Sequence, residues 1–352
     1  MNDSLQSVGI DMASAKFDVC FKERKNQRSA IKGTKTFTND LKGFTDFKQW
    51  YSKRKKDNTP IVFVMEATGV YYEELAYFLH SQKEEVYVEL PQKVKYFAKS
   101  LNIKTKTDKV DAKFIADIGL ERSSSLNAWN PPSEQFKAIR DLCREISQLK
   151  KSKSAAASRL HAWNTAHNTI DEVIETAEEH LNILDDLIKN TEELLLQRVK
   201  QDGELYERIK RIAQVKGLGI ISVTKVIAET NGFLLFNSIR QLVSYAGLDV
   251  VQEESGQYKG KSRLSKKGNA HLRAALYMPA VTAVTHNENL KKFYSRLNEK
   301  FNYKKQSLVA VMRKLLVLIY TLWKSGENYD PNYLWVGDKK RQEVSLPPLD
   351  SY

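Results

Sequence analysis

Residues 61–65 read Ile-Val-Phe-Val-Met, an apolar run with no polar alternation. A strand of that kind is covered on both faces, so it belongs inside a sheet with helices packed on it. The surrounding sequence supplies the rest of such a layer. Segments 7–12, 17–21 and 34–38 are short runs of β-branched or aromatic residues separated by turn-prone or charged stretches. Asn39 stands where it caps a helix over 41–54, a second helix is predicted over 70–82, and a further strand over 86–90.

Three meandering strands followed by helix, strand, helix and strand is the order of an RNase H-like α/β fold, expected here over residues 1–132. From 133 to 212 the spacing changes. Phe136, Ile139, Leu142, Ile146 and Leu149 recur every three or four residues, and Leu181, Leu184 and Leu187 begin a second stripe after an interruption near 167–171. Gly and Pro are nearly absent there, which predicts two long antiparallel helices or a coiled coil. A helical, basic region follows over 213–325, ending in an apolar helix over 308–323. The tail, 326–352, mixes proline, charge and aromatics and reads as an extended end.

The chain has 352 residues, 41% of them hydrophobic and 10% aromatic, which excludes disorder throughout. It carries 56 Lys and Arg against 43 Asp and Glu, a net charge of +13 that suits a polyanionic partner. Two cysteines, Cys20 and Cys143, exclude a disulfide framework or a cysteine-rich zinc site. The amino terminus has no signal-peptide core, and Arg313 and Lys314 interrupt the one apolar stretch near membrane length. The expectation is a soluble, cytoplasmic protein with no membrane partner.

The acids are the sharpest constellation. Asp11 ends the first strand, Glu66 follows the apolar run directly, and Asp108 and Asp111 are three apart, on one face of a helix. In an RNase H-like sheet the first and fourth strands are parallel neighbours, so Asp11 and Glu66 converge and the helical pair completes a four-carboxylate pocket. Such a pocket suits Mg²⁺, which takes hard oxygen ligands and stabilises the attacking and leaving oxygens of a phosphodiester. Lys93, Lys95, Lys99, Lys104, Lys106, Lys109 and Lys113 give the surroundings a phosphate-attracting field.

Two further segments point to nucleic acid. Val215-Lys216-Gly217-Leu218-Gly219-Ile220 reads as the turn of a helix-hairpin-helix, where Gly217 and Gly219 let backbone N–H groups approach a phosphate. The segment 252–273 carries Lys259, Lys261, Arg263, Lys266, Lys267 and Arg273, with glycines between them, and reads as a flexible phosphate-contacting loop. A serine in such a segment is a candidate nucleophile on phosphorus, and composition leaves Ser255, Ser262 and Ser265 open. The six histidines show no metal-ligand spacing.

In order, VGIDMASAKFDV, VMEATGVYYEELA, KTKTDKVDAKFIA, VKGLGIISVTKVIAE, FNSIRQLVSYAGL and SGQYKGKSRLSKKGNAHLR resemble a bacterial insertion-sequence transposase family, the bridge-RNA-guided recombinases. The resemblance runs from about residue 7 to 325. It implies a RuvC-like DEDD domain, a central helical region and an all-α transposase domain with a helix-hairpin-helix. It maps the DEDD acids, as catalytic metal ligands, onto Asp11, Glu66, Asp108 and Asp111, and the nucleophile onto Ser255, with Ser262 and Ser265 as fallbacks. Where many relatives carry Ser-Ser-Gly, this chain has Glu254-Ser255-Gly256. It further implies a covalent 5′-phosphoserine intermediate and a dimer or tetramer whose active sites combine one protomer's acids with another's serine. The implied partners are element-end and target DNA and a structured noncoding bridge RNA, at a nucleoid-associated location. Two other readings of the residues stay open: a resolvase-like nuclease using metal-activated water, and a non-catalytic nucleic-acid-binding scaffold.

Overall fold

The computed structural model describes residues 4–26, 28–101, 108–126, 128–234, 236–252, 254–255, 258–260, 263–301 and 303–330. The chain divides into two compact units, 1–131 and 132–352.

The first unit opens with an antiparallel meander of β1 (Leu5–Met12), β2 (Lys16–Lys25) and β3 (Arg28–Thr38). There follow α1 (Leu41–Ser52), β4 (Ile61–Glu66), α2 (Glu73–Ser81), β5 (Val86–Glu89), α3 (Pro91–Ser100) and α4 (Asp108–Arg122). The cap of α1 is Asp40, whose carboxylate accepts from Gly43 N at 2.7 Å, one residue beyond the predicted Asn39. Strand order is β3-β2-β1-β4-β5, with β4 parallel to β1 and β5 parallel to β4. This is the RNase H-like order. Period-2 alternation sorts the side chains onto two faces. Val8, Ile10, Phe17, Phe63 and Met65 join Phe47 and Tyr51 of α1 in one cluster, with Tyr51 and Phe63 rings 4.9 Å apart. Val62, Val64 and Tyr87 face the other way, onto Phe97 of α3 and Ile115 and Ile118 of α4. The apolar run is therefore covered on both sides.

Between β2 and α4, Lys22 Nζ lies 2.7 Å from both carboxylate oxygens of Asp117, with both side chains largely buried. Removing one partner strands a buried charge, whereas removing both does not. Asp117→Ala is expected to destabilise the unit by about 3 kcal/mol. Lys22→Met/Asp117→Leu should recover most of that loss, read as denaturant midpoints; a double variant no better than the single refutes the stranded-charge account.

The second unit contains α5 (Glu134–Thr165), α6 (Asp171–Lys200), α7 (Gly203–Ile212), α8 (Ile220–Glu229) and α9 (Ile239–Ala246). Four two-residue strands follow: β6 (Val250–Val251), β7 (Glu254–Ser255), β8 (Tyr258–Lys259) and β9 (Arg263–Leu264). The unit closes with α10 (Ala270–His286), α11 (Glu288–Lys300) and α12 (Lys304–Ser325). Polar pairs running in opposite senses, Lys150 with Glu192, Lys153 with Asp185 and Arg159 with His180, show that α5 and α6 are antiparallel. Ile139, Cys143 and Ile146 of α5 and Leu195 and Val199 of α6 share one core with Val226, Leu242, Leu276 and Leu315. That core crosses the expected boundary at 212. Among the described residues α12 alone has the length and apolarity to cross a membrane, and half of its apolar window is buried inside the fold. The predicted tail lies, from 331 onward, outside the described residues.

Candidate active site and nucleic-acid interface

Asp11 lies one step past the last β1–β4 pair, Ile10 with Met65, and Glu66 follows Met65. The two acids thus end adjacent parallel strands, which run about 4.8 Å apart. By alternation both belong to the sheet face that α4 covers.

What seats α4 there is glycine. A Cβ on Gly9 would lie 2.2 Å from Ala112 O and 2.2 Å from Ala116 N, so the helix backbone rests directly on β1. A Cβ on Gly119 would lie 2.2 Å from Ser7 Oγ and 2.9 Å from Val64 Cγ2. Ala112 and Ala116 over Gly9, then Gly119 over Ser7, make α4 antiparallel to β1. From Gly9 to Asp11 the strand climbs about 6.6 Å. From the middle of the Ala112–Ala116 pair the helix climbs about 4.5 Å to Asp111 and about 9 Å to Asp108. The helical pair therefore brackets the level of Asp11. Asp111 precedes Ile115 and Ile118 by four and seven residues, which puts it on the helix face packed on β4.

Asp11, Glu66 and Asp111 are all partly exposed. Asp108 opens α4, and its side chain, like those of Lys109 and Lys259, lies outside the described residues. Lys104 and Lys106 lie outside them too. Among the described residues no three His, Cys, Asp or Glu side chains are gathered tightly enough to hold a metal ion. The donor chemistry nonetheless fits Mg²⁺: carboxylates from β1, β4 and α4 stand at one end of the sheet, and Lys93, Lys95 and Lys99 of α3 are exposed.

Register adds two acids that the sequence reading missed. Asp18 pairs with Asp11 across β1 and β2, and Glu89 pairs with Glu66 across β4 and β5. Asp18 is 4% exposed, and Thr36 Oγ1 donates to it at 2.5 Å. Glu89 is 5% exposed and ion-paired with Lys93 at 2.8 Å. Only strand pairing reveals this row, because isolated acids in sequence resemble surface charge. Both cysteines are free and buried, and burial pushes the Cys20 thiol up to about 11 and that of Cys143 to about 12.

In the second unit, α7 and α8 are joined by the expected glycine turn. Gly217 has φ +105°, and a Cβ there would meet Ala283 Cβ at 2.6 Å, so this position needs glycine for its backbone and for its approach to α10. Gly219 caps α8 without a side-chain acceptor and faces open space. Its neighbourhood is a shallow groove shared with Ser222, Met278 and Thr282.

The serine segment differs from the flexible loop expected. Val250 and Val251 pair with Leu264 and Arg263, and further out Glu254 and Ser255 pair with Lys259 and Tyr258. The described residues of the segment thus form a two-stage antiparallel hairpin, with the β7–β8 ladder as its outer stage. Ser255 is exposed at its outer end. Ser265 stands at the base, its amide donating to Asp249 O at 2.9 Å and its hydroxyl accepting from Lys267 N at 3.1 Å. Lys261 and Ser262 lie outside the described residues. Arg263, Lys266 and Lys267 are exposed. Arg273 is half-buried and donates to Ala246 O at 2.9 Å, which makes it part of the hairpin's footing rather than a free cation.

Sequence reasoning also missed a buried polar cluster beneath the hairpin. Glu229, at the end of α8, accepts from Arg144 Nε at 2.8 Å and Nη2 at 3.0 Å, and from Asn269 Nδ2 at 2.8 Å. Burial opposes ionisation of Glu229, but the Arg144 and Asn269 hydrogen bonds outweigh it and hold the carboxyl below its usual range. Asn269 directly precedes α10, and Asn at that place is a capping signal for one member.

Comparison with known proteins covers both units. Residues 8–165 match the DEDD transposase domain of the IS110 type, described as a transposase, and residues 209–295 match the transposase IS116/IS110/IS902 family. Pilin gene-inverting proteins of Moraxella bovis and Moraxella lacunata are each 29% identical over 325 residues, 92% of this chain and 97% of theirs. Among solved structures, Thermus thermophilus RuvC bound to a Holliday junction substrate aligns with 36% of this chain and 99% of its own, at 10% identity and a TM-score of 0.27. The Aquifex aeolicus PPX-GPPA enzyme aligns with 92% of this chain and 94% of its own, at 8% identity and a TM-score of 0.22. The sheet and its seated acid-bearing helix thus lie within the stretch that matches the DEDD transposase domain of the IS110 type, and the glycine turn within the stretch that matches the transposase IS116/IS110/IS902 family.

Proposed function

We propose that the chain is a DNA recombinase that excises and inserts its own element through serine attack on DNA phosphodiesters. The Oγ of Ser255 attacks the scissile phosphorus, the bond from phosphorus to the 3′ oxygen breaks, and that oxygen leaves with a proton as a 3′ hydroxyl. The 5′ phosphate stays on Ser255 as an ester. A 3′ hydroxyl from another strand end then attacks this phosphorus, and the serine oxygen departs and regains a proton. One phosphoester replaces another at each step, so rejoining needs no nucleotide hydrolysis.

The observation that carries this reading is the placement of Ser255, exposed at the outer end of a hairpin with cationic flanks, while the Ser265 hydroxyl is engaged at the base. Asp11, Glu66, Asp108 and Asp111 would hold Mg²⁺, which when bound supplies charge stabilisation to an attacked phosphate. Their part is to orient and confine that charge, while the neighbouring lysines draw in the DNA backbone. The acids and the serine sit on separate units, which suits an oligomer in which the serine of one copy serves the acids of another. A relative described as inverting a pilin gene agrees with cutting and rejoining. A structured noncoding RNA that pairs with donor and target DNA would then choose sequence, leaving the basic surface to read backbone and shape.

The test is a denaturing gel after incubation with labelled element-end DNA, Mg²⁺ and the flanking RNA. The unaltered chain should yield a protein–DNA adduct. Ser255→Ala should abolish adduct and strand cleavage while leaving nucleic-acid affinity intact. Cleavage by Ser255→Ala, or cleavage that never passes through an adduct, would assign the attack to another serine or to water.

A further inference from the structure

The hairpin that carries Ser255 stands on two feet, and both are fixed by hydrogen bonds. On the inner side Ser265 N donates to Asp249 O at 2.9 Å, Lys266 N to Gly247 O at 3.2 Å and Asn269 N to Tyr245 O at 2.7 Å. Gly268 is pressed so closely on this strut that a Cβ would lie 2.3 Å from Tyr245 O. Beneath these contacts is the buried cluster. Asn269 divides its amide: Oδ1 accepts from Leu272 N at 3.0 Å and caps α10, while Nδ2 reaches Glu229 at 2.8 Å and Tyr245 OH at 3.2 Å. The Tyr245 hydroxyl donates to Glu229 O at 3.2 Å.

Glu229 is the common acceptor of this arrangement, with a side chain only 3% exposed. Arg144 of α5 grips it with two nitrogens, a fork that leaves the carboxylate a single orientation. α8, which ends at Glu229, begins at the Gly217–Gly219 turn. One rigid helix thus joins the turn expected to meet a phosphate backbone to the foot of the nucleophile hairpin. A core carboxylate serving packing alone gains little from such a network, because apolar side chains of similar volume would stabilise as well or better. A network in which every partner is satisfied fixes geometry.

Building on the assignment of Ser255 as nucleophile, we infer that Glu229, Asn269, Tyr245 and Arg144 form a positioning anchor that sets where the Ser255 hairpin stands. None of the four touches DNA in this account; each acts through the hairpin's footing. Misplacing a nucleophile by about 1 Å costs on the order of 100-fold in rate, so the anchor's contribution appears in the chemical step and not in DNA affinity.

The test uses the full chain with Asn269→Asp, which sets a second carboxylate against Glu229, and Glu229→Gln/Asn269→Asp, which restores one amide–carboxylate pair in the reverse sense. Tyr245→Phe, which removes a single hydroxyl, serves as the milder variant should Asn269→Asp unfold. Hydrogen exchange across 250–268, measured without DNA, should rise about tenfold in Asn269→Asp while α12 stays protected, and the double variant should reverse most of the rise. Adduct formation should slow by about 10- to 100-fold with unchanged DNA affinity. Unchanged exchange in the hairpin, exchange rising equally through α10 to α12, or a looser hairpin that forms adduct at full rate would each overturn the anchor. Because the exchange readout needs neither DNA nor Ser255, a loosened hairpin in a chain whose Ser255→Ala variant still cleaves would reject the nucleophile and keep the footing.

Discussion

Asp11→Asn and Glu66→Gln are each expected to lower strand cleavage by about 1,000-fold or more. Each substitution keeps shape and removes one negative charge from the end of the sheet. Carboxylates that fix a divalent ion against a phosphate supply several kcal/mol of transition-state stabilisation, and each factor of ten in rate is about 1.4 kcal/mol. Folding should suffer little, because both acids are partly exposed and neither belongs to a hydrophobic cluster of the first unit. The measurements are the single-turnover cleavage rate and the denaturant midpoint of the same preparations. Normal cleavage by a folded Asp11→Asn would place the chemistry elsewhere and favour a non-catalytic nucleic-acid-binding scaffold. Glu89→Gln separates the expected acids from their register neighbours: Glu89 is buried and held by Lys93, so its loss should show in the denaturant midpoint more than in the cleavage rate.

How much of this was legible before the fold was known differs by residue. The run 61–65 announced a doubly covered strand because its apolar pattern admits no solvent face, and β4 is that strand. The acids Asp11 and Glu66 stood at ends of readable strands, so their adjacency followed from the sheet order. The role of α4 was not readable in the same way. Residues 108–122 are apolar on several sides, with Ala112, Phe114, Ile115, Ala116, Ile118 and Leu120 all buried, so no amphipathic stripe marks it as the helix pressed hardest on the sheet. Asp18 and Glu89 were invisible because pairing register, not local sequence, makes them neighbours of Asp11 and Glu66. The hairpin around Ser255 was hidden for another reason: two-residue ladders lie below the length at which strand patterning shows. Glu229 sits in Val-Ile-Ala-Glu at the end of a helix, where a surface charge is the ordinary reading.

The close seat of α4 on β1 leads to the second large effect. Gly9→Ala is expected to destabilise the first unit by about 1–3 kcal/mol, the usual cost of overpacking a close contact, and to slow cleavage by about 100-fold. Its Cβ would press on Ala112 O and Ala116 N, which are helix backbone and have no rotamer through which to escape. The helix must retreat as a body, carrying Asp108 and Asp111 away from Asp11 and Glu66. Gly119→Ala makes a contact just as short, yet its nearest obstacle is the Ser7 hydroxyl, which turns aside more easily. The milder variant therefore calibrates the severe one. Loss of stability alone is controlled by Asp117→Ala, which weakens the same helix at its pairing with Lys22, six residues beyond Asp111, without forcing helix and strand apart. If cleavage tracks the position of α4, Gly9→Ala loses far more activity than Asp117→Ala at matched stability. Equal losses at matched stability would mean that α4 contributes only to folding, and that its two aspartates do not share the task of Asp11 and Glu66.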